Sequence, residues 1–415
     1  VNSAAAEWNW AGNYRYGGRV VRPRTVGEAQ DLIAGSPRVR ALGSRHSFTD
    51  LPDSEGLLLD LSGLADEVEV DAARATARVT AWSKYGVVAE ELERQGWALA
   101  GLASLPHISV AGAVATGTHG SGDKNQALSA AVGAIDYVGA DGQVRRVARG
   151  DADFPGSVVA LGVLGIAVAV ELDLELTFEV RQDVLLNLPW STVESSLDEL
   201  MGAAYSVSLF TRFGPEGVHQ AWFKSRELSV VPGDFGARVA SEQTHMLADG
   251  DAAATTQQLG VAGPWLHRLP HFRMEFTPSN GAELQSEYLV PRSQALTAID
   301  RLRSLGGVMA PLLQAAEFRT VAADDQWLSP ASGRDVLGVH FTWRRDPDAV
   351  YALLPLIEDA LLPLGARPHW GKCFVAGSAE LAQLYDQLPA FRSLRDRVDP
   401  ERKFGNAFLA RVLGD

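Results

Sequence analysis

The sequence predicts an α+β chain of two lobes followed by a short C-terminal segment, and three observations carry that prediction. Up to about residue 178, short apolar strands alternate with helices and turn signals. Beyond it the strands lengthen and the helices become amphipathic. No repeat at a solenoid period and no long low-complexity block interrupts either half. These observations place a domain boundary near residue 178. With 415 residues, 46% hydrophobic and 21% charged, the chain has the apolar content for a large core, which excludes intrinsic disorder and a single small binding module.

The elements follow in order. Val20 to Leu42 reads strand, helix, strand: Thr25 and Glu28 have capping-box spacing, and Gly35 stands where the helix should stop. The second of these strands runs straight into Gly43-Ser-Arg-His-Ser47. Thr76 to Trp82 alternates as a strand, and Ser83 is placed to cap a helix that runs through Glu93, with Val88 and Leu92 on its apolar face and Gly96 at its end. Ala134 to Gly139 and Val144 to Ala148 flank Asp141-Gly142, a hairpin signal. Phe154 to Leu161 suggests a short helix before a strand from Ile166 to Leu176. In the second half, strands are expected at 207–213, 220–224, 285–289, 313–320 and 336–343. Helices are expected at 292–305 and, after Asp346-Pro347, at 349–362. Residues 231–264, rich in Gly, Ala and polar side chains, read as a long excursion or lid.

Charge and composition narrow the function. Against 37 basic side chains stand 51 acidic ones, a formal charge of −14, which argues against a nucleic-acid partner. The most apolar stretch, Val158 to Val170, is shorter than the roughly 20 residues a bilayer span needs. The N-terminal residues lack the pattern of a secretory signal. The expectation is a cytoplasmic monomer without a membrane or nucleic-acid partner. The single cysteine, Cys373, has no partner for an intrachain disulfide and cannot build a thiolate zinc site; no His-Glu-x-x-His occurs, so no metal is expected.

Two common nucleotide fingerprints fail. In Gly112-Ala-Val-Ala-Thr-Gly117, Thr118 and His119 stand where a phosphate loop needs Lys and Ser or Thr. Gly120-Ser-Gly122 lacks the third glycine of a dinucleotide fold. Two glycine-rich segments remain, 43–47 and 104–122, the latter with four glycines among hydroxyl and imidazole side chains. Their backbone can form a concavity that accepts pyrophosphate oxygens or lie flat against a ligand. Read alone, each is equally a pair of tight turns beside a sheet.

Read together, Gly-Ser-x-His-Ser after a strand, Gly112-x-x-x-x-Gly-Thr-His-Gly-Ser-Gly122 and Asp399-Pro-Glu-Arg-Lys-Phe-Gly-Asn406 resemble the FAD-linked oxidases of the vanillyl-alcohol oxidase superfamily. Within it, the stretches Ala103 to Gly112, Glu317-Phe-Arg-Thr-Val-Ala-Ala and Pro368-His-Trp-Gly-Lys372 are similar to the bacterial alditol oxidases, relatives of the sugar-lactone oxidases. The resemblance covers nearly the whole chain. It implies an FAD-binding domain at 1–178, a substrate-binding cap domain at 179–367 with a large antiparallel sheet flanked by helices, and a C-terminal segment, 368–415, that returns to the flavin.

By that resemblance His46 is bonded covalently to the flavin. Leu42, Gly43, Ser44, Arg45, Ser47 and Phe48, with Thr116, Gly117, Thr118 and His119, would hold the pyrophosphate. Ser104, Ser109, Gly112, Ile166, His369 and Asn406 match further cofactor positions, Ile166 being equally explained as core. Arg45 departs from the pattern, standing where relatives often have glycine, so the turn must tolerate a side chain.

Glu317 and Arg319 lie two apart, as do His340 and Thr342, so each pair projects from one face of a strand. A buried carboxylate and guanidinium are costly unless paired or used, so Glu317 is expected on Arg319 or on a ligand; a solvated ion pair explains the spacing equally well. A polyol needs several fixed donors and acceptors, which Ser104, Glu317, Arg319, Thr342 and Lys372 supply. The resemblance makes Lys372 catalytic, as a base or an electrostatic clamp, with Arg319 and His340 in support. The implied reaction is oxidation of a terminal alditol hydroxyl, as in xylitol or sorbitol, by hydride transfer to flavin N5, with O2 reduced to H2O2. A small Ala103 facing the flavin would admit oxygen. The alternatives are a lactone oxidase or dehydrogenase on the same frame and a flavin carrier without alcohol chemistry. His219, His245, His267 and His271 show no partner spacing and read as core or surface residues.

Overall fold

Strand β1 (Arg19–Val21), helix α1 (Val26–Gly35), β2 (Val39–Ala41) and β3 (Leu57–Leu59) open the chain, with β3 parallel between the other two. The computed structural model describes residues 7–229, 232–276 and 283–414. At α1 the Thr25 hydroxyl accepts the Glu28 N–H at 3.0 Å, while the Glu28 carboxylate takes the N–H of Arg24, not that of Thr25. The box is displaced by one residue at its outer half.

A second sheet is antiparallel throughout. Its strands are β4 (Val68–Asp71), β5 (Thr76–Thr80), β6 (Val132–Val138), β7 (Val144–Ala148) and β8 (Ile166–Asp173), in the order β4-β5-β8-β6-β7. The β6–β7 hairpin turns at Gly142, whose φ of +80° is the left-handed conformation expected of Asp-Gly. Helix α2 (Tyr85–Arg94) starts one residue later than predicted: Lys84 is the N-cap, and the Ser83 hydroxyl bonds Thr80 and Asp66. The helix expected at 154–161 is one turn, Phe154–Ser157, because Leu161 (φ +53°) and Gly162 (φ +73°) reverse the chain. The strand expected to reach Leu176 breaks after Asp173, and Glu175–Leu176 pairs instead with Trp97–Ala98.

The third unit is a nine-stranded antiparallel sheet. Its long strands are β9 (Glu179–Leu188), β10 (Ser206–Thr211), β11 (Val218–Ser225), β12 (Glu283–Pro291), β13 (Leu313–Val321) and β14 (Val336–Arg344), in the order β9-β11-β10-β13-β14-β12. The short pairs Arg238–Val239 and Arg367–Pro368 close the two edges, and Gly263–Pro264 pairs with the start of β9. One face packs Tyr288, Phe318, Phe341 and Trp343 onto Ile299 and Leu302 of helix α3 (Ala295–Ser304) and Leu354 and Ile357 of helix α4 (Pro347–Leu361), all buried. Asp346 caps α4 by accepting the Ala349 N–H, and Pro347 takes its first position, where no N–H is needed. The other face turns towards the first half of the chain and carries the polar side chains described below.

The C-terminal segment ties both halves together. Phe408 and Phe391 sit in the core behind the nine-stranded sheet, whereas Phe404 packs with Ile33, Leu59 and Ile166. Lys403 donates to the carbonyls of Ile33, Ala34 and Ala140, and the Asn406 amide to those of Asp50, Leu51 and Asp53. In the excursion, the described residues 232–264 form only short bridges and turns. No described helix is long and apolar enough to cross a membrane.

Candidate active site

The two glycine-rich segments meet. Ser44 Oγ accepts the N–H of Ser109 at 3.1 Å. A Cβ placed on either Gly43 or Gly112 would come within 2.8 Å of Ser109 Oγ, so the two glycines leave that hydroxyl the place it holds between the loops. Leu42 N–H and Phe48 N–H are taken by Leu59 and Gly371, but none of the five N–H groups of residues 43–47 donates to a partner among the described residues. Consecutive unsatisfied N–H groups in a turn form an anion-binding concavity. Arg45 holds the left-handed conformation, φ +64°, that a glycine would take without strain. Its guanidinium is anchored on Asp60 at 3.0 Å and Glu7 at 3.4 Å, which explains how this turn tolerates a side chain.

These loops wall one side of a cavity of about 1040 Å³, at the upper end of the roughly 300–1,000 Å³ of small-molecule sites. His46 faces it, stacked on Trp10 at 5.3 Å, with Nδ1 buried and without a hydrogen-bond partner. Burial, aided by nearby His107, lowers the pKa of His46 to about 4, so the imidazole is neutral and its lone pair available. Five free donors for phosphate oxygens and one neutral nucleophilic imidazole in the same wall are what a tethered flavin dinucleotide needs. The residues fit that group.

The opposite wall is the polar face of the nine-stranded sheet. Register places Glu317, His340 and Glu287 in one row across β13, β14 and β12, with Thr342 opposite Gln285 in the next row and Arg319 opposite Gly338 on the other side. Gly338 leaves the carboxylate room, since a Cβ there would sit 3.2 Å from Glu287 Oε1 and press on it. Glu287 is the hub. Arg319 Nη2 donates to its Oε1 at 2.7 Å, His119 Nε2 lies 3.2 Å from Oε1, and Lys372 Nζ donates to Oε2. His340 Nδ1 lies 3.5 Å from Oε2 and 2.7 Å from Lys372 Nζ. Burial opposes ionisation of Glu287, but Arg319, Lys372 and His119 overcome it and hold the carboxyl well below its usual range. Burial likewise pulls Lys372 down while Glu287 pulls it back up, and lowers His340 to about 4.

The expected Glu317–Arg319 pairing is the weaker contact, 3.6 Å from Nε. Arg319 spends its hydrogen bonds on Glu287 and, through Nη1, on Ser104 Oγ at 3.2 Å. Glu317 Oε1 instead takes His271 Nε2 at 2.8 Å, and His271 Nδ1 lies 3.1 Å from the ammonium of Lys224. His271, read from the sequence as a core or surface residue, lies in the core, with partners that no sequence spacing indicated.

Most of the sequence-predicted residues line this cavity, Thr342, Ser104, Thr116, Thr118 and His369 among them, and Ala103 lies beside Ser104 in the wall. Three do not. The Gly117 Cα faces Pro330, Ile166 is in the core between the lining residues Gly165 and Ala167, and Asn406 spends its side chain on the chain's own backbone. The His119 imidazole, expected at the pyrophosphate, is turned onto Glu287. Sequence reasoning missed Glu287 itself. Gln285 and Glu287 repeat, on a third strand, the polar i,i+2 spacing that singled out Glu317/Arg319 and His340/Thr342, and that repetition was the available signal.

Comparison with known proteins agrees with this architecture. The family model described as FAD binding domain matches residues 18–148, and the one described as D-arabinono-1,4-lactone oxidase matches residues 280–412. An alditol oxidase of Streptomyces sp. (strain IKD472 / FERM P-14339) is 45% identical over 99% of both chains. An L-gulono-1,4-lactone dehydrogenase of Mycobacterium tuberculosis is 29% identical over 95% of this chain and 96% of its own. Among solved structures, a cholesterol oxidase from B. sterolicum superimposes with a TM-score of 0.80 at 14% identity, covering 98% of this chain and 96% of that one; the likeness is one of fold.

Proposed function

The chain belongs to the alditol oxidase family of FAD-linked oxidases, in the vanillyl-alcohol oxidase superfamily, and from that premise we propose that it oxidises the terminal hydroxyl of an alditol to the aldose, with O2 reduced to H2O2. The observation that carries this reading is a single cavity with two unlike walls. One offers free backbone N–H groups and a neutral buried imidazole, the other a row of buried ionised groups. The chemistry that bound FAD supplies is acceptance of a hydride from the carbinol carbon and return of two electrons to oxygen.

The chain's own residues do the rest. The N–H groups of residues 43–47 would hold the pyrophosphate and His46 the flavin ring, as its covalent anchor. Ser104, Thr342, Glu317, Arg319 and Lys372 supply donors and acceptors for several hydroxyls, which suits a polyol with little apolar surface. Arg319 and Lys372 place positive charge where an alkoxide develops. Glu287 opposes the burial that lowers Lys372, and the lysine works as a polarising cation that relays a proton. Nζ takes the hydroxyl proton as it passes one of its own to His340 Nδ1, 2.7 Å away. The resulting imidazolium is stabilised by Glu287. Ala103, in the cavity wall, leaves space for oxygen.

An anaerobic panel of polyols, lactones and hydroxy acids tests the proposal. Xylitol or sorbitol should bleach the flavin and, once air is admitted, yield peroxide and an aldose. Bleaching by lactones alone would transfer the chain to the lactone-oxidising branch. The yellow colour should survive acid precipitation, and His46→Ala should abolish that survival.

A further inference from the structure

Behind the polyol wall, and not part of it, lies a fully buried lysine. Lys224 is 1% exposed, and its ammonium donates to three acceptors: the carbonyls of Leu269 (2.6 Å) and Pro270 (3.0 Å), and His271 Nδ1 (3.1 Å). Burial lowers this lysine to about 7; the Glu317 carboxylate beside Nε2 can only accept, so the imidazole donates there and its Nδ1 accepts from the lysine. A neutral His271 therefore carries its proton on Nε2, which lies 2.8 Å from Glu317 Oε1. The ring is fixed edge-on between Phe210 (5.7 Å) and Trp222 (5.2 Å), and its backbone N–H donates to Ser104 O at 3.1 Å. Glu317 Oε2 makes no hydrogen bond among the described residues, and Glu317 lines the cavity.

The geometry points to Lys224 and His271 as a positioning pair: the lysine sets the imidazole tautomer, and the imidazole holds one oxygen of Glu317 so that the other faces the polyol as a fixed hydroxyl acceptor. Lys224 lies outside the cavity and His271 at its edge, and the inference rests on the proposed role of Glu317 as a polyol ligand. The rationale is that a carboxylate free to rotate loses orientation, whereas one pinned at a single oxygen presents its lone pairs in one direction.

The test uses the flavin-loaded protein and Lys224→Met, His271→Leu, His271→Gln and Glu317→Gln. In the His271→Gln protein the side-chain amide can still donate to Glu317 without help from the lysine. Lys224→Met and His271→Leu should raise KM for xylitol roughly 10- to 100-fold, with kcat changing far less, while His271→Gln stays near the parent. Adding Lys224→Met to the His271→Gln protein should raise KM little further. Nitrogen NMR of ¹⁵N-histidine-labelled protein should show the Nε2–H tautomer for His271, lost in Lys224→Met. If folded Lys224→Met and His271→Leu proteins, with parental flavin content, keep the parental KM, the positioning role is overturned. An Nδ1–H tautomer in the parent protein overturns it as well, and can be read even if Lys224→Met does not fold. A Glu317→Gln protein of unchanged KM would instead overturn the assignment of Glu317 to the substrate.

Discussion

Three cationic side chains and two carboxylates cross the solvent face of the five-stranded sheet: Arg74, Arg78 and Arg146 against Asp136 and Glu171, paired at 2.5–3.1 Å. The cavity wall and the layer behind it hold the same count, Arg319, Lys372 and Lys224 against Glu287 and Glu317. The arginines of the first set are 41–60% exposed over carboxylates only 9–11% exposed, whereas in the second both signs are shielded and no side chain exceeds 14%. Pairs whose cations stay in water are screened and contribute about 0.2–1 kcal/mol each. Buried ions lose their hydration, and their mutual attraction does little more than restore it. The outer set therefore adjusts stability and can be replaced. The inner set is held by geometry at some cost to stability, which its proposed place in the reaction would explain.

The comparison breaks most readily at the hub. Glu287→Gln should destabilise the protein by about 3–5 kcal/mol, because Arg319 and Lys372 stay shielded from water without a counter-charge, and should cut kcat about 10²–10⁴-fold; urea unfolding and turnover on xylitol measure both. A Glu287→Leu, Arg319→Met, Lys372→Met triple variant sharpens it. It should be more stable than Glu287→Gln although inactive, since an apolar cluster has no unpaired charge to bury.

Acidification should also separate the two sets. His271 and His340 have folded pKa values of about 4 against an ordinary 6.5. Between those values the unfolded chain binds more protons than the native one, so stability falls as pH drops from 6.5 to 4. Glu287, held well below 4.5, continues the loss below that pH. Thermal melts across this range should be steeper in the parent than in a folded His271→Leu variant. The smallest effect belongs outside: Asp136→Asn should cost about 1 kcal/mol or less, shrinking further in 1 M salt, with kcat/KM unchanged.

Much of the fold was legible because its signals are local. Thr25, Asp141-Gly142 and Asp346-Pro347 each act within four residues of themselves. Strand β9 escaped because it pairs on both sides and its centre is buried on both faces, which erases the alternation that marks a half-exposed strand. In the site, the family motifs led to His46, Glu317, Arg319 and Lys372. They did not lead to Glu287 or His271, whose partners lie 32 to 168 and 46 to 47 residues away. Pairing at that separation is decided by sheet register and by the stacking of the two halves, and no spacing rule reads it.

The asparagine clasp of the C-terminal segment joins the two walls of the cavity. Lys372 stands in one wall, and Asn406, further along the same segment, donates to the carbonyls of Asp50, Leu51 and Asp53, which follow the 42–48 turn of the other. A strain that pulls this segment away therefore opens the pocket at both walls together.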